Sequence, residues 1–360
     1  MTNEDKRLDI HYIAVAPSSW KELKKDFAHY KIHTPKDYKW ATPEPPKIYR
    51  NMLITMATIG PRNLGGILSY IRKLKESGYA ERIFFDSGGF QVLRGKLYIT
   101  FDQLLKFNER MYPECSWGDC FVMPDTPPNA AEPLPEMVKK VEFTIKMTCD
   151  FFKVLPKKIQ RKAAPVFHLR NAEQIEWQYK AYKHIIEESN MACISLQAPS
   201  PTALNRLDFR NMTIIKALME KLPKGVRVHT LGIASPASIF CMAKVGITSY
   251  DAVTPITNAG MGRVLFHTGG VNFTSGRPGF SVSREEVEQA KKRSNHRCPF
   301  CDDLDTLYTH YRHRRIHNQI MLDEINHFYR KLDRDQFAKE WPKESVYLEE
   351  VMGNGQQSIF

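Results

Sequence analysis

No apolar stretch in this 360-residue sequence approaches the roughly 20 residues needed to cross a bilayer, so a membrane partner is not expected. Internal repeats and low-complexity tracts are also missing, which excludes solenoids and long flexible segments. The opening MTNEDKRLDIHY is polar and charged and lacks the apolar segment of a secretory signal. Cysteine is too sparse for a disulfide scaffold. The seven residues, Cys115, Cys120, Cys149, Cys193, Cys241, Cys298 and Cys301, are odd in number and mostly single within apolar runs. That fits buried reduced thiols in a cytoplasmic protein, apart from the close pair Cys298 and Cys301. Acidic residues are the minority: 40 against 52 Lys plus Arg, a formal charge of +12. Basic clusters occur at Lys157-Lys158, Arg161-Lys162, Lys291-Lys292-Arg293 and Arg312 to Arg315. A polyanion is the natural partner, because lysine and arginine release counterions from a phosphate backbone.

Hydrophobic residues make up 42% of the chain and aromatics 11%, enough for a substantial core. Short apolar runs recur at Leu53–Ala57, Ile83–Phe85, Phe121–Met123, Pro165–Phe167, Ala192–Leu196, Val226–Leu231 and Tyr250–Val253. Helical spacing lies between them. Val138, Val141, Ile145, Cys149 and Phe152 fall at steps of three and four, as do Ile175, Tyr179, Tyr182 and Ile186. Ser235-Pro236 opens another helix with a cap followed by proline. Seven strand–helix alternations point to the α/β class and a (β/α)8 TIM-type barrel. The eighth strand is not placed; Val264–Phe273, with Gly269-Gly270 inside it, reads as a hairpin. The expected organisation is an N-terminal extension packed on the barrel over 1–50, the barrel over 51–285, and a zinc-binding, helical C-terminal region over 286–360.

Residues 86–93 read DSGGFQVL, directly after Ile83-Phe84-Phe85. The strand fixes the Asp86 carboxylate, the glycines let backbone approach closely, and the Phe90 ring can stack on a flat substrate. Taken alone, an aspartate ending a strand is more often a turn or cap former. Asp125 in VMPDTPP and Asp251 in SYDAVTP hold the matching position in two further alternations. Barrel chemistry sits at the C-terminal ends of strands, and gathering carboxylates around one mouth is costly without a use. Paired carboxylates suit glycosidic chemistry, one attacking the anomeric carbon and the other handling the proton. The acceptor can be water or a second base.

His296-Arg-Cys298-Pro-Phe-Cys301 gives HxCxxC, and the following helix supplies His310, His313, His317 and His327. Two thiolates and two imidazoles compose a closed tetrahedral zinc site of structural type. The bland reading is a stray CxxC or a redox pair. His317, where His-Asn opens a helical run, is the expected fourth ligand, with His327 as the alternative.

These residues together resemble the tRNA-guanine transglycosylase superfamily over roughly residues 50 to 330. DSGGFQ is the family's most specific peptide; LGIASP at Leu231 resembles its LMGVG-P segment, and the strand ending at Asp251 resembles the one carrying its nucleophile. HxCxxC with His317-Asn318 resembles the family's CxCxxC…HN, with His296 in place of the first cysteine. The resemblance implies that Asp251 attacks the ribose C1′ and that Asp86 is the general acid/base. It implies Phe90 and Leu231, with Gly232 beside them, around the base, and Asp125 on the base edge. Ser195, Leu196 and Gln197 lie where the family recognises the base, and His168 stands where it usually has glutamine. It implies a structural Zn2+ and no other cofactor.

The departures concern the polymer rather than the chemistry. The segment after Asp251 has no arginine until Arg263, the base-binding strand reads ISLQAPS, and no C-terminal RNA-binding domain is recognisable. This pattern resembles the DpdA-type branch, DNA-guanine transglycosylases that replace guanine in DNA with a 7-deazaguanine such as preQ0. The expected partners are therefore DNA, with tRNA as the alternative, the free 7-deazaguanine and guanine bases, and accessory DNA-modification proteins. A non-catalytic nucleic-acid-binding subunit and a zinc-dependent barrel hydrolase are the other two classes in play.

Overall fold

The computed structural model describes residues 10–16, 20–59, 61–93, 95, 97, 99–129, 132–196, 209–233, 236–267, 269–272, 283–329 and 334–341. The first part of the chain runs β1 His11–Val15, α1 Trp20–His33, β2 Asn51–Thr55, α2 Pro61–Glu76, β3 Arg82–Asp86, α3 Gly89–Leu93, α4 Phe101–Glu114 and β4 Cys120–Val122. The middle continues with α5 Leu134–Val154, α6 Lys157–Gln160, β5 Ala163–Ala164, β6 Val166–Leu169, α7 Glu173–Ser189, β7 Met191–Leu196, α8 Phe209–Lys221, β8 Arg227–Thr230, α9 Pro236–Lys244 and β9 Ser249–Ala252. After the last barrel strand come α10 Thr254–Gly260, β10 Arg263–Phe266, β11 Gly269–Asn272, α11 Arg284–Arg293, α12 Pro299–Asp302, α13 Leu304–Thr309, α14 Tyr311–Tyr329 and α15 Arg334–Glu340.

The main sheet has the order β5-β4-β3-β2-β1-β9-β8-β7-β6, with every neighbouring pair parallel. Its two ends, β5 and β6, are one stretch of chain divided by Pro165, which has no N–H to donate to a ladder. Ala163–Ala164 pair with β4, and beyond the proline Val166–Leu169 pair with β7. The Pro165 carbonyl still accepts from Cys193 N at 2.9 Å, so the sheet returns on itself as a TIM-type barrel.

The eighth strand is β1, from the segment expected to be an extension. It lies between β9 and β2, with Ile13 opposite Asp251 and Val15 opposite Leu53. HYIAV is only five residues long, and the proline-rich stretch behind it obscures the alternation that marks a strand. The Val264–Phe273 region is a hairpin where described, with Val264 opposite Val271 and Leu265 opposite Gly270.

Side chains alternate across each strand, so one set fills the barrel and the other meets the helices. The inner set at the barrel floor is Ile13, Leu53, Phe84, Cys120, Val122, Ala164, Val166, Met191 and Cys193. The outer set packs under helices whose apolar residues recur every three or four positions, such as Leu64, Ile67 and Ile71 of α2 and Ile175, Tyr182 and Ile186 of α7. Two positions further along each strand the inward residues become Val15, Thr55, Asp86, His168 and Ser195, with His229, Leu231 and Asp251 from β8, its end and β9. That polar layer is the top of the barrel interior.

The Arg312 to Arg315 cluster is spent internally. Arg312 pairs with Glu22 and Asp26, Arg315 pairs with the fully buried Asp26, and Arg314 donates to the carbonyls of Ala259, Leu307 and Tyr308. These arginines tie α14 to α1 and α10 instead of presenting charge to a polyanion. Among the described residues, no helix is long and apolar enough to cross a membrane.

Candidate functional site

The two glycines after Asp86 have separate reasons. Gly88 sits at φ +88°, a conformation side chains rarely adopt. Gly89 has an ordinary backbone but no room: a Cβ there would stand 2.1 Å from the Asp125 carbonyl oxygen and 2.8 Å from Asp125 Oδ1. The DSGG turn therefore presses its backbone against Asp125. Ser87 fixes the junction further, donating to Asp125 Oδ1 at 3.3 Å while its carbonyl accepts from Asn108 Nδ2 at 2.9 Å.

Asp86 receives a 2.7 Å hydrogen bond from Thr55 Oγ1, its register partner on β2. It keeps partial contact with water at the mouth, while protein surrounds most of the carboxyl. Burial is the largest influence on its titration, and the charges of Asp125 and Asp251 act in the same direction. The Thr55 and Gly88 hydrogen bonds oppose them, and the net effect pushes the carboxyl up to about 7. A group poised there can give or take a proton at neutral pH.

Asp251 is 7% exposed and held differently. Its Oδ1 accepts from the backbone N–H of Gly232 at 3.1 Å and lies 3.2 Å from His229 Nε2. His229 Nδ1 is 3.0 Å from Ser249 Oγ. With its proton on Nε2, His229 donates to Asp251 and accepts from Ser249, so the aspartate is anchored through one oxygen. Gly232 makes its contribution at φ +76°. Asp125, also nearly buried, has His168 Nε2 3.1 Å from its Oδ2. Two Asp–His pairs thus share the mouth with Asp86, and both aspartates act on its charge.

Of the residues expected from sequence, Asp86, Asp125, Asp251, His168, Ser195, Leu231 and Gly232 all fall at this end of the barrel. His168 and Ser195 are register partners on β6 and β7. Leu231 packs against the floor cluster, and Phe90, in the first turn of α3, is 46% exposed at the rim. The Leu196 side chain and Gln197 lie outside the described residues. Thr55, Ser87, His229 and Ser249 were not anticipated. Thr55 and Ser87 carried a signal, being polar residues at the end of β2 and directly after β3, whereas His229 and Ser249 lie inside β8 and at the start of β9.

A second cluster lies beyond the barrel, where His296, Cys298, Cys301 and His317 are all buried and offer ligand atoms within 4.8 Å of one another. Cys298 Sγ is 3.5 Å from Cys301 Sγ and 3.3 Å from His317 Nδ1. The outer ring nitrogens are already committed: His317 Nε2 to the Leu265 carbonyl at 2.9 Å, His296 Nδ1 to Glu324 Oε2 at 2.7 Å. This is the arrangement that fixes the tautomer of a metal-bound imidazole. His296 Nε2 is buried with no hydrogen-bond partner, a cost a metal would remove. Burial alone would raise the Cys301 thiol, but the Cys298 hydrogen bond and the His296 charge hold it well below the usual thiol range. These four residues fit a metal ion. His327 sits ten residues beyond His317 on α14, roughly 15 Å further along the axis, and its side chain lies outside the described residues.

The neighbouring Asn318 joins this centre to the mouth. Its Nδ2 donates to the carbonyls of Pro255 and Arg263, and its Oδ1 accepts from Leu265 N at 2.8 Å. The Cys/His cluster therefore lies beside the residue that supports β10 and α10, the elements that immediately follow Asp251. The chain matches no protein-family model, and no curated protein matches it.

Proposed function

We propose that this protein is a base-exchange transglycosylase that replaces guanine in DNA with a 7-deazaguanine of the preQ0 type. The observation that carries the reading is the division of labour between Asp86 and Asp251 at one barrel mouth. Asp86 titrates near neutrality, and Asp251 is anchored through one oxygen by Gly232 and His229. In the first step the second oxygen of Asp251 attacks C1′ of the nucleotide. The C1′–N9 bond breaks, and guanine leaves with a proton from Asp86. In the second step Asp86 takes a proton from the incoming base, whose nitrogen attacks C1′ and displaces Asp251. Bond for bond and proton for proton the exchange balances, with retention at C1′ and no redox cofactor. Phe90 and Leu231 enclose the base plane, a stacking contact of about 1–3 kcal/mol in nucleic-acid binders. Asp125, steered by His168 and Ser87, reads the base edge.

The Cys/His centre would hold Zn2+ in a closed, structural role, because all four positions are protein ligands. DNA is the polymer assigned, in the cytoplasm, with the target nucleotide extruded into the mouth. The test is transfer of labelled guanine or preQ0 into duplex DNA, single-stranded DNA and bulk tRNA, side by side. DNA-only labelling lost in Asp251→Ala supports the proposal. Labelling of tRNA moves the same chemistry to the other polymer.

A further inference from the structure

Outside the barrel, three imidazoles converge between α1 and α14. His29 and His33 are four residues apart and share one face of α1, the spacing with which a helix chelates a metal. His313 enters from the first turn of α14 and is fully buried. One ring nitrogen from each of the three lies within 4.8 Å of the others. His29 Nε2 and His313 Nδ1 are 3.1 Å apart. Two nitrogens bound at about 2.0–2.1 Å to one tetrahedral ion would stand roughly 3.4 Å apart, close to that separation.

Plain packing accounts poorly for this crowd. The His29 and His33 ring centroids are 4.3 Å apart, His33 and His313 4.9 Å, and His310 stacks on His29 at 5.1 Å. For all these rings the hydrogen-bond return is small. His29 meets His313, His310 Nδ1 accepts from the His313 backbone N–H at 3.4 Å, and His313 Nε2 is buried without a well-formed hydrogen bond although the Phe300 backbone acts on the ring. Imidazole nitrogen suits Zn2+ and the neighbouring divalent transition metals. Arg312, whose charge acts on His29, is already paired with Glu22 and Asp26, and the Asp303 carboxylate interacts with both His33 and His313. The Phe300 ring packs on His313 at 4.8 Å and belongs to the turn between Cys298 and Cys301, so the two clusters stand on either side of it.

We propose that His29, His33 and His313 form a second divalent transition-metal site, with three imidazole ligands and water in the remaining position. It clamps α1 of the barrel to α14, and it is independent of the proposed reaction.

The full-length chain, stripped with a chelator and dialysed against Zn2+, should bind two equivalents by elemental analysis. His33→Ala, a change at a half-buried side chain, should bind one. With Co2+ as the probe, the sulfur-to-cobalt charge-transfer band of the Cys site should be the same in both chains. Only the visible d–d absorption of the imidazole site should disappear from the variant. The wild-type melting temperature should rise by several degrees on the second equivalent and that of His33→Ala should not. His29→Gln should reproduce the loss. One equivalent in the wild type, or two in both variants, would overturn the site.

Discussion

Replacing Gly89 with alanine tests how the DSGG turn shapes the mouth. The added carbon would lie 2.1 Å from the Asp125 carbonyl oxygen and 2.8 Å from Asp125 Oδ1, at least roughly 1 Å inside ordinary contact at the carbonyl. The tighter of the two contacts is with backbone, which cannot swing aside as a side-chain end can. One is backbone in the segment after β4, the other opens α3, so the main chain must move. Overpacking of this kind costs about 3 kcal/mol, which for a chain this size lowers the melting temperature by roughly 5 °C. Two other glycines calibrate the result. Gly78 is at φ +72° with nothing within 4 Å of its added carbon, so Gly78→Ala pays only the left-handed backbone penalty of about 1–2 kcal/mol. Gly65, inside α2 and also open, should gain about 0.5–1 kcal/mol as alanine. Urea unfolding of the three variants should order them Gly65→Ala above wild type, then Gly78→Ala, then Gly89→Ala. Base exchange should fall about 100-fold in Gly89→Ala alone, because Asp125 shifts with the turn. A Gly89→Ala chain as stable as Gly78→Ala or better would refute the contact.

Asp86 makes stability fall with rising pH. Its folded value near 7 exceeds the usual 3.8, so the stability it contributes is intact below about pH 4 and lost as the pH climbs through 7. Asp86→Asn should therefore match wild type at pH 4 and exceed it by about 1–2 kcal/mol at pH 8, allowing for water at the mouth. Equal urea midpoints at both pH values would refute that environment. His229→Ala should leave the fold intact and slow exchange about 10- to 100-fold, since Asp251 loses one of its two donors; an unchanged rate would remove His229 from the site. Chelation should lower the melting temperature by at least about 5 °C through loss of the buried Cys/His centre, with exchange surviving wherever the chain stays folded. Activity lost from a chain still folded by circular dichroism would make that metal catalytic.

Much of this architecture was legible because period and position carry it. Apolar runs at regular intervals gave seven of the barrel strands, and aspartates at their ends gave the mouth. β1 was missed because five residues, two of them His11 and Tyr12, make a weak pattern beside a proline-rich stretch. Its assignment comes from partners, β9 and β2, that only the closed sheet supplies. Pro165 inside an apolar run argues locally against a strand, yet it falls where the strand changes neighbours. His229 and Ser249 were hidden because sequence does not say which polar residues share a layer across strands. Between His317 and His327 the helix axis decides: among the described residues His317 meets the cysteines, and His313 turns toward α1. The arginines at 312 to 315 show the opposite error, a charged run that looks like a surface and is a set of internal ties.

The most direct measurement is trapping of the aspartyl adduct. The protein is incubated with guanine-containing duplex DNA, single-stranded DNA or tRNA in the absence of incoming base, denatured, and analysed by mass spectrometry. The account predicts a polynucleotide linked through C1′ to the peptide carrying Asp251, formed with DNA, absent in Asp251→Ala and released by adding preQ0. Labelled base entering DNA equally well with Asp251→Ala, or an adduct mapping to another residue, would contradict it.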